Sequence, residues 1–189
     1  MKIYEITNGM EHFMIERFPE EYKPELLEKF QKYQDELQEK FGNTNMIFQY
    51  HLLDAWNHRI TELEVLNIEE NNVTCRERDS FETWTIDEAT RQKIMELVKS
   101  YHDILADENY YAEDANYYDG YIFRIFLSDG ENGYYIQEDN LQACLKEEGE
   151  KMPNARKFVS LLESIFTLLQ KSGIDKQLFD FKIGKRRAF

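Results

Sequence analysis

A helical pattern of apolar and polar positions covers residues 24–41. Apolar side chains recur three and four positions apart, with Pro24 at the first helical position and Gly42 directly after the last. Proline at the start and glycine just past the end are typical of helix termini. The spacing predicts an amphipathic helix over Pro24–Phe41 with the following residues facing inward: Leu26, Phe30, Tyr33, Leu37 and Phe41.

Beyond residue 45 the pattern changes from the helical period of about 3.6 residues towards a period of two. Segments with alternating apolar residues cover 46–53, 59–68 and 73–84, and the stretches 54–58 and 69–72 separate them. Such alternation with polar breaks predicts a three-stranded antiparallel meander. The third segment is polar on both faces over its middle, which is typical of an edge strand.

The N-terminal segment shows a weaker strand pattern. Residues 1–7 alternate loosely and are followed by Asn8-Gly9. Because these two residue types accept the positive φ angles of a tight hairpin turn, we expect a hairpin that continues through residues 10–18. The same stretch fits a helix nearly as well.

A second helix is predicted after the meander. Thr85 and Glu88 have the spacing of a capping box, in which each side chain hydrogen-bonds the backbone N–H of the other. The predicted helix begins there and continues through Ala106. Its inward stripe consists of Ile94, Leu97, Val98, Tyr101, Ile104 and Leu105.

A hairpin and a third helix follow. Aromatic and β-branched runs at 121–127 and 134–137 flank a loop that contains two glycines, which predicts a hairpin. The last helical pattern begins at Met152-Pro153, and Gly173 ends it.

These elements predict an α+β fold. The expected architecture is one antiparallel sheet, made of the meander plus the hairpin, with about three amphipathic helices packed around it. The length of 189 residues suits one domain over residues 1–189, ending in a short basic tail at 182–189.

The charge balance narrows the choice of partners. The chain has 23 Lys and Arg against 37 Asp and Glu, a formal net charge of -14. Such a surface repels nucleic acid and anionic membranes, whereas a basic protein is attracted to it. No segment approaches the roughly 20 apolar residues of a membrane span, and no secretory leader pattern is seen at the start, so we expect a cytoplasmic protein.

One set of side chains has the composition of a metal site: His51, Asp54, His58 and Glu62. On a helix the four would share one face, as in a bundle metal centre. On strands of period two His51 and Asp54 point to opposite faces, and no metal is expected. A small metal-dependent hydrolase using these residues is the alternative interpretation.

Other catalytic signals are weak. His102 precedes Asp103 near the end of the second predicted helix, where the helix dipole favours a histidine at the surface. Cys75 and Cys144 have neither the spacing of a metal or redox motif nor a histidine close in sequence. No glycine-rich phosphate loop precedes a helix, so no cofactor is expected.

The most distinctive segment joins the second helix to the hairpin. Residues 103–121 contain two Asn-Tyr-Tyr repeats among many carboxylates. Tyrosine is a common interface anchor, and acids beside it complement a basic partner. The predicted partner-binding residues are Tyr110, Tyr111, Glu113, Asp114, Tyr117, Tyr118 and Asp119. The alternative is an acidic loop whose tyrosines pack on the core.

Together these features favour a non-enzymatic acidic binding or regulatory protein that engages a basic protein partner, as an immunity protein or inhibitor does. Two other interpretations remain: the metal-dependent hydrolase, and a structural subunit that dimerises through its apolar helices.

Overall fold

The computed structural model describes residues 1–7, 20, 23–56, 59–77, 80–106, 120–139 and 153–174. Within these residues the strands are β1 (Lys2–Thr7), β2 (Met46–Trp56), β3 (Arg59–Glu69), β4 (Asn72–Glu77), β5 (Ser80–Thr85), β6 (Gly120–Ser128) and β7 (Asn132–Asp139). The helices are α1 (Lys23–Phe41), α2 (Glu88–Ser100), α3 (His102–Leu105) and α4 (Pro153–Lys171).

All seven strands form one sheet in the order β1-β7-β6-β2-β3-β4-β5. β1 runs parallel to β7, and every other neighbouring pair is antiparallel. The α+β class is therefore confirmed, but the sheet is mixed and four helices accompany it in the described part of the chain. The predicted turn at Asn8-Gly9 lies outside the described residues.

The parallel pair depends on contacts between residues far apart in sequence. The ring of Tyr4 in β1 stacks on Tyr134 in β7, with 5.6 Å between centroids. Ile3 pairs with Gly133, and a Cβ at Gly133 would lie only 2.6 Å from the Ile3 Cδ1. Glycine therefore allows β1 to lie against β7, and local sequence periodicity contains no signal for that choice of neighbour.

The extended conformation predicted between the first two helices is confirmed, with one correction. The third predicted strand is two strands, β4 and β5, which pair antiparallel with Cys75 opposite Glu82. β4 is thus internal, and β5 forms the edge of the sheet. The polar middle of the segment marks the connection between two strands instead of an edge strand.

The second helix does not begin with the predicted capping box. Thr85 is the last residue of β5 and pairs with Asn72. Asp87 is the N-cap of α2, and its carboxylate accepts a hydrogen bond from the Thr90 backbone N–H at 2.7 Å. Asp87 caps because it has extended backbone and lies three residues before a free helical N–H.

The two faces of the sheet differ in what covers them. On one face, which we call the packed face, α2 and α4 cover the sheet. Every second side chain of the strands points towards these helices, and together they form the main core. Its fully buried large side chains include Phe48, Tyr50, Leu52, Leu66, Ile68, Phe123, Tyr134 and, from the helices, Ile94 and Phe158.

On the opposite face, α1 packs over β6, β7 and the neighbouring β1. Phe41 stacks on Phe126 at 4.2 Å between centroids, and Leu37 and Tyr135 complete this smaller cluster. Further along the sheet, the same face carries mainly polar side chains. We call this region the polar face and define it by Gln49, His51, Glu62, Asn67, Arg76 and Arg124.

Candidate functional site

The predicted partner-binding segment lies outside the described residues, and its role stays a prediction. This holds for Tyr110, Tyr111, Glu113, Asp114, Tyr117, Tyr118 and Asp119. The basic tail at 182–189, His58 and Cys144 also lie outside them. The candidate sites below therefore come from the sheet, from its edge and from the end of α2.

The polar face contains a hydrogen-bonded ion-pair network. His51 Nε2 lies 2.8 Å from Glu62 Oε2, and Arg76 donates to the other oxygen of the same carboxylate, Oε1. Beside it, the Gln49 side-chain amide donates to Asn67 Oδ1 at 3.0 Å. Three strands, β2, β3 and β4, contribute to this network.

A β-bulge brings Glu62 to the polar face. The strand register shifts so that Leu52 pairs with Glu64 and Leu53 with Glu62, which leaves Leu63 as the extra residue of β3. Without a bulge, residues 62 and 64 would share one face because a strand repeats every two residues. With it, Glu62 contacts His51 and Arg76, whereas Glu64 is fully buried on the packed face.

The set proposed as a metal site is only partly assembled. His51 and Glu62 are in contact, Asp54 lies in β2 opposite Thr61, and His58 is outside the described residues. Among the described residues, no group of three or more His, Cys, Asp or Glu side chains could hold a metal ion. Arg76 already binds the Glu62 carboxylate, so a metal ion at this carboxylate would be repelled by the Arg76 guanidinium.

Positive charge gathers on the α1 side of this network. Arg124 in β6 pairs in register with His51, and its Nε donates to Gln137 Oε1 at 3.1 Å. Burial lowers the pKa of His51, which Glu62 partly offsets, and the charges of Arg124 and Lys40 lower it further. Burial lowers the pKa of Lys40, and the charge of Arg124 lowers it further.

The β5 edge is the most exposed part of the described sheet. Every side chain of β5 except Trp84 is exposed, and Phe81 is exposed to 67%. Among the described residues, the other exposed large hydrophobic is Leu27 on α1, at 53%. Exposed carboxylates lie in β5 at Glu82 and at the end of β3 at Glu69, with Glu70 in the turn that follows. An edge strand of this kind presents backbone hydrogen-bonding groups to an incoming chain.

A second hydrogen-bonded network corrects the prediction that His102 is a surface histidine. His102 is half-buried, and its Nδ1 lies 2.6 Å from the hydroxyl oxygen of the buried Tyr134. Tyr134 donates to Asp129 Oδ2 at 3.1 Å, so the His102 Nδ1–H must donate to the phenolic oxygen. The ring of Tyr4 meets His102 edge-on at 5.8 Å.

This network ties the β6–β7 loop to the start of α3. Burial opposes ionisation of Asp129, but hydrogen bonds from Asn132, Glu131 and Tyr134 outweigh it and lower the pKa of this carboxyl group. Burial, together with the charge of Asp129, raises the pKa of Tyr134, so its hydroxyl stays a donor. The arrangement fixes the orientation of the His102 ring, which is a structural role.

Sequence reasoning missed the partners of His102. Tyr134 lies 32 positions further along the chain, and no local pattern relates the two. Asp129 had a weak signal, because aspartate opening a glycine-rich loop commonly accepts the N–H groups of the next residues. It does so from Glu131 and Asn132, at 2.9 and 2.6 Å.

Cys75 lies on the packed face and is fully buried. Its Sγ lies 3.9 Å from Glu64 Oε1. Because a nucleophilic thiol must be reached by its substrate, this position does not suit covalent catalysis.

Among the described residues, no helix is long and apolar enough to cross a membrane. Comparison with protein-family models, with curated proteins and with solved structures finds no match.

Proposed function

We propose that the chain is a non-enzymatic acidic protein that binds a basic protein partner and regulates or inhibits it. The observation that carries the proposal is the β5 edge, where Phe81 is 67% exposed on the outermost of the described strands, in a chain with a net charge of -14. An exposed aromatic ring on an edge strand is costly to keep at a surface and is common at binding sites.

Charge supports a basic partner. Glu69, Glu70 and Glu82 are exposed, and Arg76, which pairs in register with Phe81, is bound to Glu62. A surface with surplus carboxylates speeds the approach of a basic protein and disfavours acidic competitors.

Backbone geometry supports docking by strand addition. β5 pairs with β4 along one side, and no strand of the described residues pairs with its other side. A partner segment added there would gain backbone hydrogen bonds and would place an apolar side chain next to Phe81.

The acidic tyrosine-rich segment is the second contact in this proposal. Tyr110, Tyr111, Tyr117 and Tyr118 would act as anchors with Glu113, Asp114 and Asp119 around them. A cytoplasmic location is part of the same proposal.

Site-specific photo-crosslinking tests the proposal. A benzophenone amino acid replaces Phe81 in one variant and Leu27 in the control, because both positions expose an apolar side chain. We expect crosslinking in cells from position 81 to one dominant basic protein, reduced by Glu69→Lys and Glu82→Lys together. Equal adducts from both positions, or an acidic dominant adduct, would contradict the proposal.

The hydrolase alternative rests on the contact between His51 and Glu62. Elemental analysis of the purified protein separates it from the binding proposal. Stoichiometric zinc that is lost in His51→Gln would favour the hydrolase, whereas we expect no retained transition metal.

A further inference from the structure

We propose that the polar face holds a binding site for a doubly charged phosphate group, either free phosphate or a phosphomonoester. Arg124 and Lys40 would bind the anion, with His51 beside them. This site is separate from the β5 edge and goes beyond the proposed partner binding.

Arg124 has donors that its protein contacts do not use. A guanidinium carries five N–H groups, and Arg124 uses its Nε to bond Gln137. Among the described residues no carboxylate pairs with it, although the chain contains 37 Asp and Glu. A half-buried guanidinium loses hydration, so an anion that satisfies its free N–H groups would bind favourably.

The carboxylate nearest to Arg124 in the described network is already used. Glu62 binds His51 through Oε2 and Arg76 through Oε1. Glu62 therefore neutralises Arg76 and leaves the charge of Arg124 uncompensated.

Lys40 adds a second uncompensated charge from α1. Lys29 pairs with Glu25 at 2.7 Å and Lys32 with Glu36 at 3.8 Å, but among the described residues no carboxylate pairs with Lys40. Its ammonium instead lies 4.7 Å from the centroid of the Phe41 ring. Phe41 stacks on Phe126, which is two positions from Arg124 on the same strand face.

The geometry suits phosphate better than a single carboxylate. A guanidinium on β6 and an ammonium on α1 would together supply enough donors for a dianion with three acceptor oxygens. The overall charge of -14 repels anions, so affinity has to come from these local contacts.

Calorimetric titration of the full chain with inorganic phosphate at neutral pH is the test. Arg124→Gln and Lys40→Gln each remove one proposed contact, and Lys29→Gln is the matched control on the same helix. We expect saturable binding to the wild type, at least about tenfold weaker binding to either site variant, and less than about twofold change for the control.

Two further ligands define the chemistry. O-phosphoserine should bind as well as phosphate if the natural ligand is a phosphomonoester, and more weakly if it is free phosphate; both results support the site. Acetate should bind at least about tenfold more weakly. Should Arg124→Gln fail to fold, the exposed Lys40→Gln still tests the site. Absence of phosphate binding, unchanged affinity in Lys40→Gln, or acetate binding as tight as phosphate would each overturn the proposal.

Discussion

The packed face and the polar face use the same strands in opposite ways. Along β2, Phe48, Tyr50 and Leu52 are fully buried against α2 and α4, whereas Gln49 and His51 between them are only half-buried. The packed face gains stability from apolar burial. The polar face has ion pairs of small net value, and its Arg124 and Lys40 are uncompensated by described carboxylates. The difference indicates that the packed face contributes most of the stability of the fold and the polar face contributes little.

The largest expected effect tests the packed face. Phe158 in α4 is fully buried in the main core. Phe158→Ala should lower the free energy of unfolding by about 3 to 5 kcal/mol because it removes the ring and leaves a cavity. Gln49→Ala on the polar face should cost less than about 1 kcal/mol. Urea unfolding measures both, and equal losses would break the contrast between the faces.

A smaller loss of stability is expected from the buried hydrogen bonds of Tyr134 on the packed face. Tyr134→Phe removes the hydroxyl between His102 and Asp129 and leaves both without that partner. The expected loss is about 1 to 3 kcal/mol. Tyr4→Phe keeps the neighbouring ring and should change stability by less than about 0.5 kcal/mol. Similar losses of stability from both variants would show that the Tyr134 hydroxyl network does not contribute the expected stability.

A still smaller loss of stability is expected from removing the N-cap of α2. Asp87→Ala should destabilise by about 1 kcal/mol, because the Asp87 carboxylate caps the Thr90 N–H. Thr85→Ala, at the end of the exposed β5 strand, should have an effect below about 0.5 kcal/mol. Both variants are measured by chemical denaturation. A larger loss of stability in Thr85→Ala than in Asp87→Ala would favour the capping box that the sequence pattern predicts.

The smallest expected effect is a pH dependence on the polar face. The folded pKa of His51 is lowered from its ordinary value of 6.5, chiefly by burial. Unfolding therefore takes up a proton below that value, and the free energy of unfolding falls as pH drops from 7.5 through 6.5 towards the lowered pKa.

His51→Gln should show a smaller loss of stability between pH 7.5 and 5.5 than the wild type. Glu62, Arg76, Arg124 and Lys40 are unchanged in the variant and act as an internal reference. Urea unfolding at the two pH values provides the measurement, and a loss as large as in the wild type would exclude His51 as the titrating group.

Local signals predicted local structure well. Pro24 and Gly42 marked the ends of α1 within one residue, and the glycine-bearing loop marked the β6–β7 hairpin. The α2 start was wrong because two candidate caps, Thr85 and Asp87, lie two residues apart, and pairing in β5 decides between them.

Long-range features escaped prediction for a physical reason. The parallel pairing of β1 with β7 joins residues more than 120 positions apart and leaves no local period. The contact of His51 with Glu62 depends on the bulge at Leu63, because a regular strand would put Glu62 and Glu64 on one face. The Arg124 and Lys40 pair likewise needs the β2–β6 register and the packing of α1.

Unfolding of wild type and Arg124→Gln in phosphate tests the central contrast most directly. Both proteins are unfolded with urea in phosphate and in chloride at matched ionic strength. We predict equal stability in chloride, within about 0.5 kcal/mol, and an extra stabilisation of the wild type in phosphate that the variant lacks. A variant that is markedly less stable in chloride but equally stabilised by phosphate would contradict the account, because Arg124 would then serve the fold and not a ligand.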